Sequence, residues 1–283
     1  MRDKYITKQR LEELEGILSD RDKAILRSLQ ILRYLTTGQI RRLHYTDNAN
    51  PAAGHRMANW GTAKLHGCGL IKMLERRIGG VRGGSSSYVW TLAEAGVKLL
   101  RLTDADCAVR KRNYEPSLNF VKHALEVSEI YIRLKETCKR YQPELIQAQP
   151  EPACWRSYTG ADGKPATMKP DLFAVTVNGG YEDRWFIEVD MDTESPCVVL
   201  KKCLRYIRYC KSGAEQKETG VFPLVLWVAP TIKRAESLRR HIADCRELTP
   251  AEKTIFSVIH KDNFEAVIRE PDAMINPKGE KIA

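Results

Sequence analysis

Apolar residues fall along this 283-residue chain in two rhythms. In the first third they recur every three or four positions: Leu11, Leu14, Ile17 and Leu18, then Ile25, Leu29, Leu32 and Leu35, then Ile40 and Leu43. That period gathers them on one stripe of a helix. It predicts an amphipathic arm over 1–19 and a helix from Asp20, whose carboxylate is placed to cap it. A brief helix follows from Thr37, with Ile40 and Leu43 inward and Arg41 and Arg42 outward. Beyond the turn DNANPAAG, a third helix over 55–67 has Met57, Ala58, Ala63 and Leu65 for packing. His55, Arg56, Asn59 and Lys64 are left for its outer face. Two strands, 70–77 and 88–92, then flank a glycine- and serine-rich loop, and a further helix starts at Thr91 or Glu94.

The second part of the chain mixes both periods. Residues 117–140 predict a long helix, with Phe120, Leu125, Val127, Ile130, Ile132 and Leu134 on its apolar side and His123 in a packing or hydrogen-bonding role. Leu145 and Ile146 begin a strand, Trp155-Arg156-Ser157 belongs to a second strand or a loop near the candidate site, and GADGKPATMK reads as a polar loop that orders on DNA. Residues 172–177 and 185–190 are apolar, rich in β-branched and aromatic side chains, and separated by the turn NGGYED: two strands of a hairpin. A helix over 198–209 follows. The run FPLVLWV predicts a buried central strand, 231–244 an amphipathic helix and 255–259 a last strand. Helix, strands, helix, strand, helix, strand gives an α/β or α+β layer, with its chemistry at one edge.

Charge separates the two parts. Residues 1–112 hold 21 Lys and Arg against 11 Asp and Glu, whereas the remainder holds 25 of each, so the whole formal surplus of +10 lies in the first part. Such a basic module suits a polyanion. Three helices and then a hairpin is the order of a winged helix-turn-helix, whose third helix enters the major groove while the wing touches backbone. Arg76, Arg77 and Arg82 around the glycine-rich tip suit phosphates. The same tip, GGVRGG, is a poor nucleotide-binding loop, having no following lysine and no strand-to-helix setting. The expected division is therefore arm 1–19, winged helix-turn-helix 20–103, linker 104–116, α/β domain 117–269 and loose tail 270–283. No apolar run is long enough for a membrane span. Eight scattered cysteines without a CxxC pair, and a start (MRDKYITKQR) without an apolar core, point to buried free thiols in a reducing cytoplasm.

The predicted hairpin carries the chemistry. Asp171 opens its first strand, and Glu188 and Asp190 lie two apart near the end of the second, on one face. Glu188 interrupts the apolar run WFI-E-V and needs a partner if buried. Three carboxylates brought together repel one another unless a hard cation, Mg²⁺ or Mn²⁺, sits among them.

Pro170-Asp171 and Glu188 resemble the PD-(D/E)XK nuclease superfamily, the restriction-endonuclease-like fold, with Asp190 in the place of its lysine. IEVDMDTES followed by KKCLRYIRY is similar to the replication-relaxation family, which includes MobC-type plasmid relaxases; the likeness runs roughly from Asp20 to His260. It implies an acid-x-acid strand, a nearby glutamate at Glu194, and a helix whose lysine and tyrosine are Lys201 or Lys202 and Tyr206. It implies metal-dependent nicking of double-stranded DNA at a transfer or replication origin, alongside other relaxosome or coupling proteins. The catalytic set would be Asp171, Glu188, Asp190 and Lys201 or Lys202. Tyr206 and Tyr209, in helical spacing with Arg205 and Arg208, fit packing or phosphate contact better than nucleophilic attack. The alternative is an inactive DNA-binding accessory protein, or a regulator of replication or transcription.

Overall fold

A computed structural model describes residues 6–47, 50–74, 88–103 and 116–271. Arg76, Arg77 and Arg82 with their loop, nearly all of the expected linker, and the tail from 272 lie outside the described residues. The chain divides into two compact units, residues 1–132 and 133–283, the division falling inside one long helix.

The first unit runs α1 (Lys8–Ile17), α2 (Asp20–Leu32), β1 (Leu35–Thr36), α3 (Thr37–His44), α4 (Pro51–Gly67), β2 (Ile71–Met73), β3 (Val89–Leu92) and α5 (Glu94–Thr103), then the first half of α6 (Leu118–Arg140). Ser19, rather than Asp20, caps α2: its Oγ accepts from Asp22 N–H, and the Asp22 carboxylate accepts from Ser19 N–H in a reciprocal capping box. The helix stops earlier than its apolar period suggests: Arg33 takes φ 66°, and Leu35 continues the stripe from a strand. That strand joins an antiparallel sheet ordered β1-β3-β2. Ile25, Leu26, Leu29, Ile40, Leu65, Leu70 and Leu99 fill the core between sheet and helices. Each such side chain stabilises the fold by about 1.5–3 kcal/mol when wholly buried. Trp90 donates from Nε1 to Thr37 Oγ1 at 2.8 Å, tying sheet to α3. The first half of α6 belongs here as well, since Ser128 donates to Tyr34 O and Gln39 to Leu125 O.

Gly96 opens this packing to a test. A Cβ there would lie 2.2 Å from the Leu70 carbonyl oxygen, a backbone atom with no freedom to retreat. Gly96→Ala is expected to destabilise the first unit by about 1–3 kcal/mol, read as a lower urea midpoint; an unchanged midpoint would refute the close packing of α5 on the Leu70 turn.

The second unit continues with the rest of α6, β4 (Glu144–Pro150), β5 (Arg156–Thr159), β6 (Pro165–Met168), β7 (Leu172–Asn178), β8 (Tyr181–Val189), α7 (Pro196–Ser212), α8 (Ala214–Thr219), β9 (Leu224–Ala229), α9 (Ile232–Asp244), α10 (Pro250–Lys253), β10 (Phe256–His260) and α11 (Phe264–Arg269). Its five-stranded mixed sheet has the order β10-β9-β8-β7-β4. The tight NGGY turn, with Gly179 and Gly180 at positive φ, makes β7 and β8 antiparallel neighbours, and β4 extends them. Strands β8, β9 and β10 are parallel, so each step needs a crossover, supplied by α7–α8 and then by α9–α10. Val199, Cys203, Tyr206 and Ile207 of α7 and Ala235, Leu238 and Ile242 of α9 form one core with Phe173, Phe186, Val225, Trp227 and Phe256.

Two expectations change here. The stretch GADGKPATMK is no loop awaiting DNA: β5 and β6 pair as a hairpin closed by Gly160 N to Lys164 O at 2.8 Å. The acid-bearing strands also lie in the middle of the sheet rather than at its edge, because β9 and β10 are added beyond β8. Of the seven described cysteines, all unpaired, only Cys154, Cys203 and Cys245 are buried.

Candidate functional site

Strand alternation puts Glu188 on the same face of β8 as Phe186, beneath α7, and there it is wholly buried. A carboxylate so placed needs hydrogen bonds to both oxygens. Two side chains one turn apart on α7 provide them: Tyr206 Oη donates to Oε1 and Lys202 Nζ to Oε2. The Lys202 ammonium also lies 5.7 Å from the centre of the Trp227 ring. Asp171, just before β7, is buried across the hairpin, and its Oδ2 accepts the Val189 backbone N–H at 2.8 Å. Cys154 closes the floor, donating to Pro170 O at 3.0 Å.

Electrostatics follow from this burial. Desolvation pushes the Glu188 carboxyl up to about 8, with Lys202 opposing and Asp171 adding to the rise. Burial works against the Lys202 ammonium, yet Glu188 and Asp171 raise its pKa overall. Tyr206 is driven well above a phenol's usual value by burial and then by Glu188, so it keeps its proton and acts as a donor rather than a nucleophile. A carboxyl whose folded pKa exceeds its ordinary 4.5 stabilises fully below that value, and the contribution is lost as pH rises through about 8. The lysine's contribution is lost only above its ordinary 10.5, outside this window. In metal-free buffer, Glu188→Gln should therefore gain stability relative to the wild type between about pH 5 and 8, by at most about 1.4 kcal/mol per pH unit. Parallel urea-midpoint curves for the two proteins would contradict the assignment.

Asp190 stands elsewhere. Just past β8, it is bound by Arg234 of α9 through two bonds, Nε to Oδ2 at 2.8 Å and Nη2 to Oδ1 at 2.9 Å. The guanidinium also donates to Glu194 O at 2.8 Å and approaches Asp192 Oδ1 at 3.2 Å, fixing the DMDTES turn in which Asp192 has φ 56°. The expected third carboxylate is thus committed to an arginine, and Glu194 is exposed with its backbone, not its side chain, engaged by Arg234. Among the described residues no three His, Cys, Asp or Glu side chains are gathered as cation ligands. Of the two candidate lysines, Lys202 reaches Glu188 and Lys201 is exposed. Sequence reasoning missed Arg234, although the signal was present: it precedes Leu238 and Ile242 by four and eight positions, on the buried stripe of α9. It also missed the partner of Arg156, whose Nε donates to buried Glu215 at 3.2 Å beside the Tyr209 hydroxyl.

In the first unit, His55, Arg56 and Asn59 are exposed on α4, as are Met57 and Ala63, which were expected inside. Ala58, Thr62 and Leu65 make the inner face instead. Lys64 is drawn back to Asp22 at 2.6 Å, and Arg42 to Glu129 at 2.5 Å. Arg41 is half-buried, its Nε without a hydrogen-bond partner.

The chain therefore pairs a basic, mainly helical unit with an α/β unit built round a buried glutamate, lysine and tyrosine. The profile of the replication-relaxation family matches residues 26–225, from α2 to the start of β9 and across the whole Glu188 centre. The chain belongs to the replication-relaxation family. Comparison with curated proteins and with solved structures gave no match. Among the described residues no helix is long and apolar enough to cross a membrane.

Proposed function

We propose that the protein binds double-stranded DNA through a winged helix-turn-helix in its first unit. In the second, a PD-(D/E)XK-like domain, it nicks one strand at a plasmid transfer or replication origin as a MobC-type relaxase would. The observation that carries this reading is Glu188, an ionisable side chain wholly buried and held by Lys202 and Tyr206 beside Asp171. Burial without function would favour an apolar side chain there. The order helix, strand, two helices, two strands, with β1 paired to β3, supports the winged reading of the first unit.

Asp171 and Glu188 are carboxylates of the hard-donor type that would hold Mg²⁺ or Mn²⁺, once Glu188 exchanged its bonds to Lys202 and Tyr206 for the ion; Asp190 is spent on Arg234. The chemistry such a cation would supply there is polarisation of a phosphoryl oxygen and a lowered pKa for bound water. The chain's own part is positional. Lys202 offsets negative charge gathering at the scissile phosphate, and Tyr206 fixes the rotation of the Glu188 carboxyl. Lys201, Arg205 and Arg208, exposed at i, i+4 and i+7 on α7, supply phosphate contacts on the outer side of the same helix. Cytoplasmic action with other relaxosome or coupling proteins belongs to this reading.

A second reading, a DNA-binding accessory or regulator without catalysis, draws on Asp190 at the motif lysine's place and on both Glu188 oxygens being taken. Supercoiled plasmid carrying the cognate origin separates the two. The nickase reading expects relaxation only with Mg²⁺ or Mn²⁺; intact supercoils with wild-type protein and its partner proteins would favour the accessory role.

A further inference from the structure

Trp60 is 79 % exposed at the middle of the outward face of α4. Large aromatic rings seldom stand in water without an occupant to meet them. Tyr181 is equally exposed, but it ends a polar hairpin turn and carries a hydroxyl. Trp60 instead projects from a well-formed helix between Arg56, one turn earlier, and exposed Ala63, with Asn59 alongside. No described residue pairs with the side chain of Arg56, Asn59 or Trp60, whereas Lys64 and Arg42 nearby are tied to acids. The face thus presents one cation, one amide and one large apolar plate, in a part of the chain that holds all of the formal positive surplus.

We propose that Trp60 is a base-contacting residue that packs its indole on the C5-methyl of a thymine in the major groove. This rests on the DNA-binding reading of the first unit. The thymine methyl is the apolar handle that the major groove offers, while Arg and Asn pair with guanine and adenine edges. Arg56 lies one turn before the ring and Asn59 next to it in the chain, so polar and apolar readout fall on neighbouring base pairs. Arg56 on this face, and the surplus of positive charge over residues 1–112, favour a duplex over an apolar protein partner.

The test uses the full-length protein. A consensus site is first selected from a random duplex library, and each thymine in it is then replaced by deoxyuridine, which removes only the methyl. Wild type is expected to lose about fourfold in affinity at one such position, the value of one buried methyl group. Trp60→Ala should bind the consensus about tenfold more weakly, lose that sensitivity, and keep the wild-type melting temperature because the ring touches no core. Iodide quenching gives a direct readout: Trp90, Trp185 and Trp227 are buried and Trp155 half-buried, so DNA should shield mainly Trp60. Unchanged consensus affinity in Trp60→Ala, or an undiminished deoxyuridine effect, would overturn the proposal. So would a changed oligomeric state of Trp60→Ala in light scattering with DNA binding intact, which assigns the ring to a protein interface. Failure of wild type to bind any duplex would instead sink the DNA-binding reading itself, and the role of Trp60 with it.

Discussion

Glu188→Ala should abolish metal-dependent relaxation of origin plasmid while leaving duplex affinity within a few fold. The acid and the proposed DNA-reading helix belong to different compact units, so one function should be removable without the other. On the proposed reading Glu188 would hold the cation, so its loss is expected to lower the rate at least about a thousandfold. Asp171→Asn should behave likewise, since it keeps the shape and removes a charge. Tyr206→Phe should retain most activity, because the phenol is a buried, protonated donor. Lys201→Ala should matter far less than Lys202→Met, as only Lys202 reaches Glu188. Glu188→Gln serves as the fold control, preserving volume and a hydrogen-bonding head. Nicking at matched DNA occupancy that survives Glu188→Ala would place the chemistry elsewhere.

A comparable loss, of stability rather than activity, is expected for Arg234→Ala. The guanidinium and Asp190 are both buried and share two bonds, so removing the arginine strands a carboxylate out of water and frees the DMDTES turn. Breaking such a pair costs about 3–5 kcal/mol. For a unit of this size that is roughly 10 °C in melting temperature. Replacing both residues by a shape-matched apolar pair, Asp190→Leu with Arg234→Met, should recover much of it. A melting point within 2 °C of wild type for Arg234→Ala would show that the pair is held in water after all.

Local patterns carried most of this architecture. Glu188 was legible because it breaks an apolar strand, and Pro170-Asp171 because the following strand is so plainly apolar. The choice between Lys201 and Lys202 was not, since they are adjacent and only helix phase decides. Lys202 lies four residues before Tyr206 on the inward side, whereas Lys201 lies four before exposed Arg205. The partner of Asp190 lies 44 residues away, a distance that no local period spans. β1 escaped notice because two residues make no pattern, and Leu35 fell by coincidence on the stripe of α2. The β5–β6 hairpin escaped because its strands are short and polar. On α4, Met57 and Ala63 looked like core by type, and only the packed structure shows which arc faces solvent.

One feature of the centre bears on how it could be governed. Its acids stand on the sheet, while its ammonium and phenol stand on a helix laid across that sheet. The spacing of unlike charges is therefore set by the seam between two layers and not by the pleat of one strand. A strand holds its own residues at fixed intervals, but a seam can open by an ångström with every backbone hydrogen bond intact. Lifting α7 that far would loosen Lys202 and Tyr206 together, since both belong to one rigid rod, and leave Glu188 with two vacant oxygens. Whatever leans on the outer, cationic side of that rod thus bears mechanically on the carboxylate beneath it. A strand-borne lysine would have no such lever.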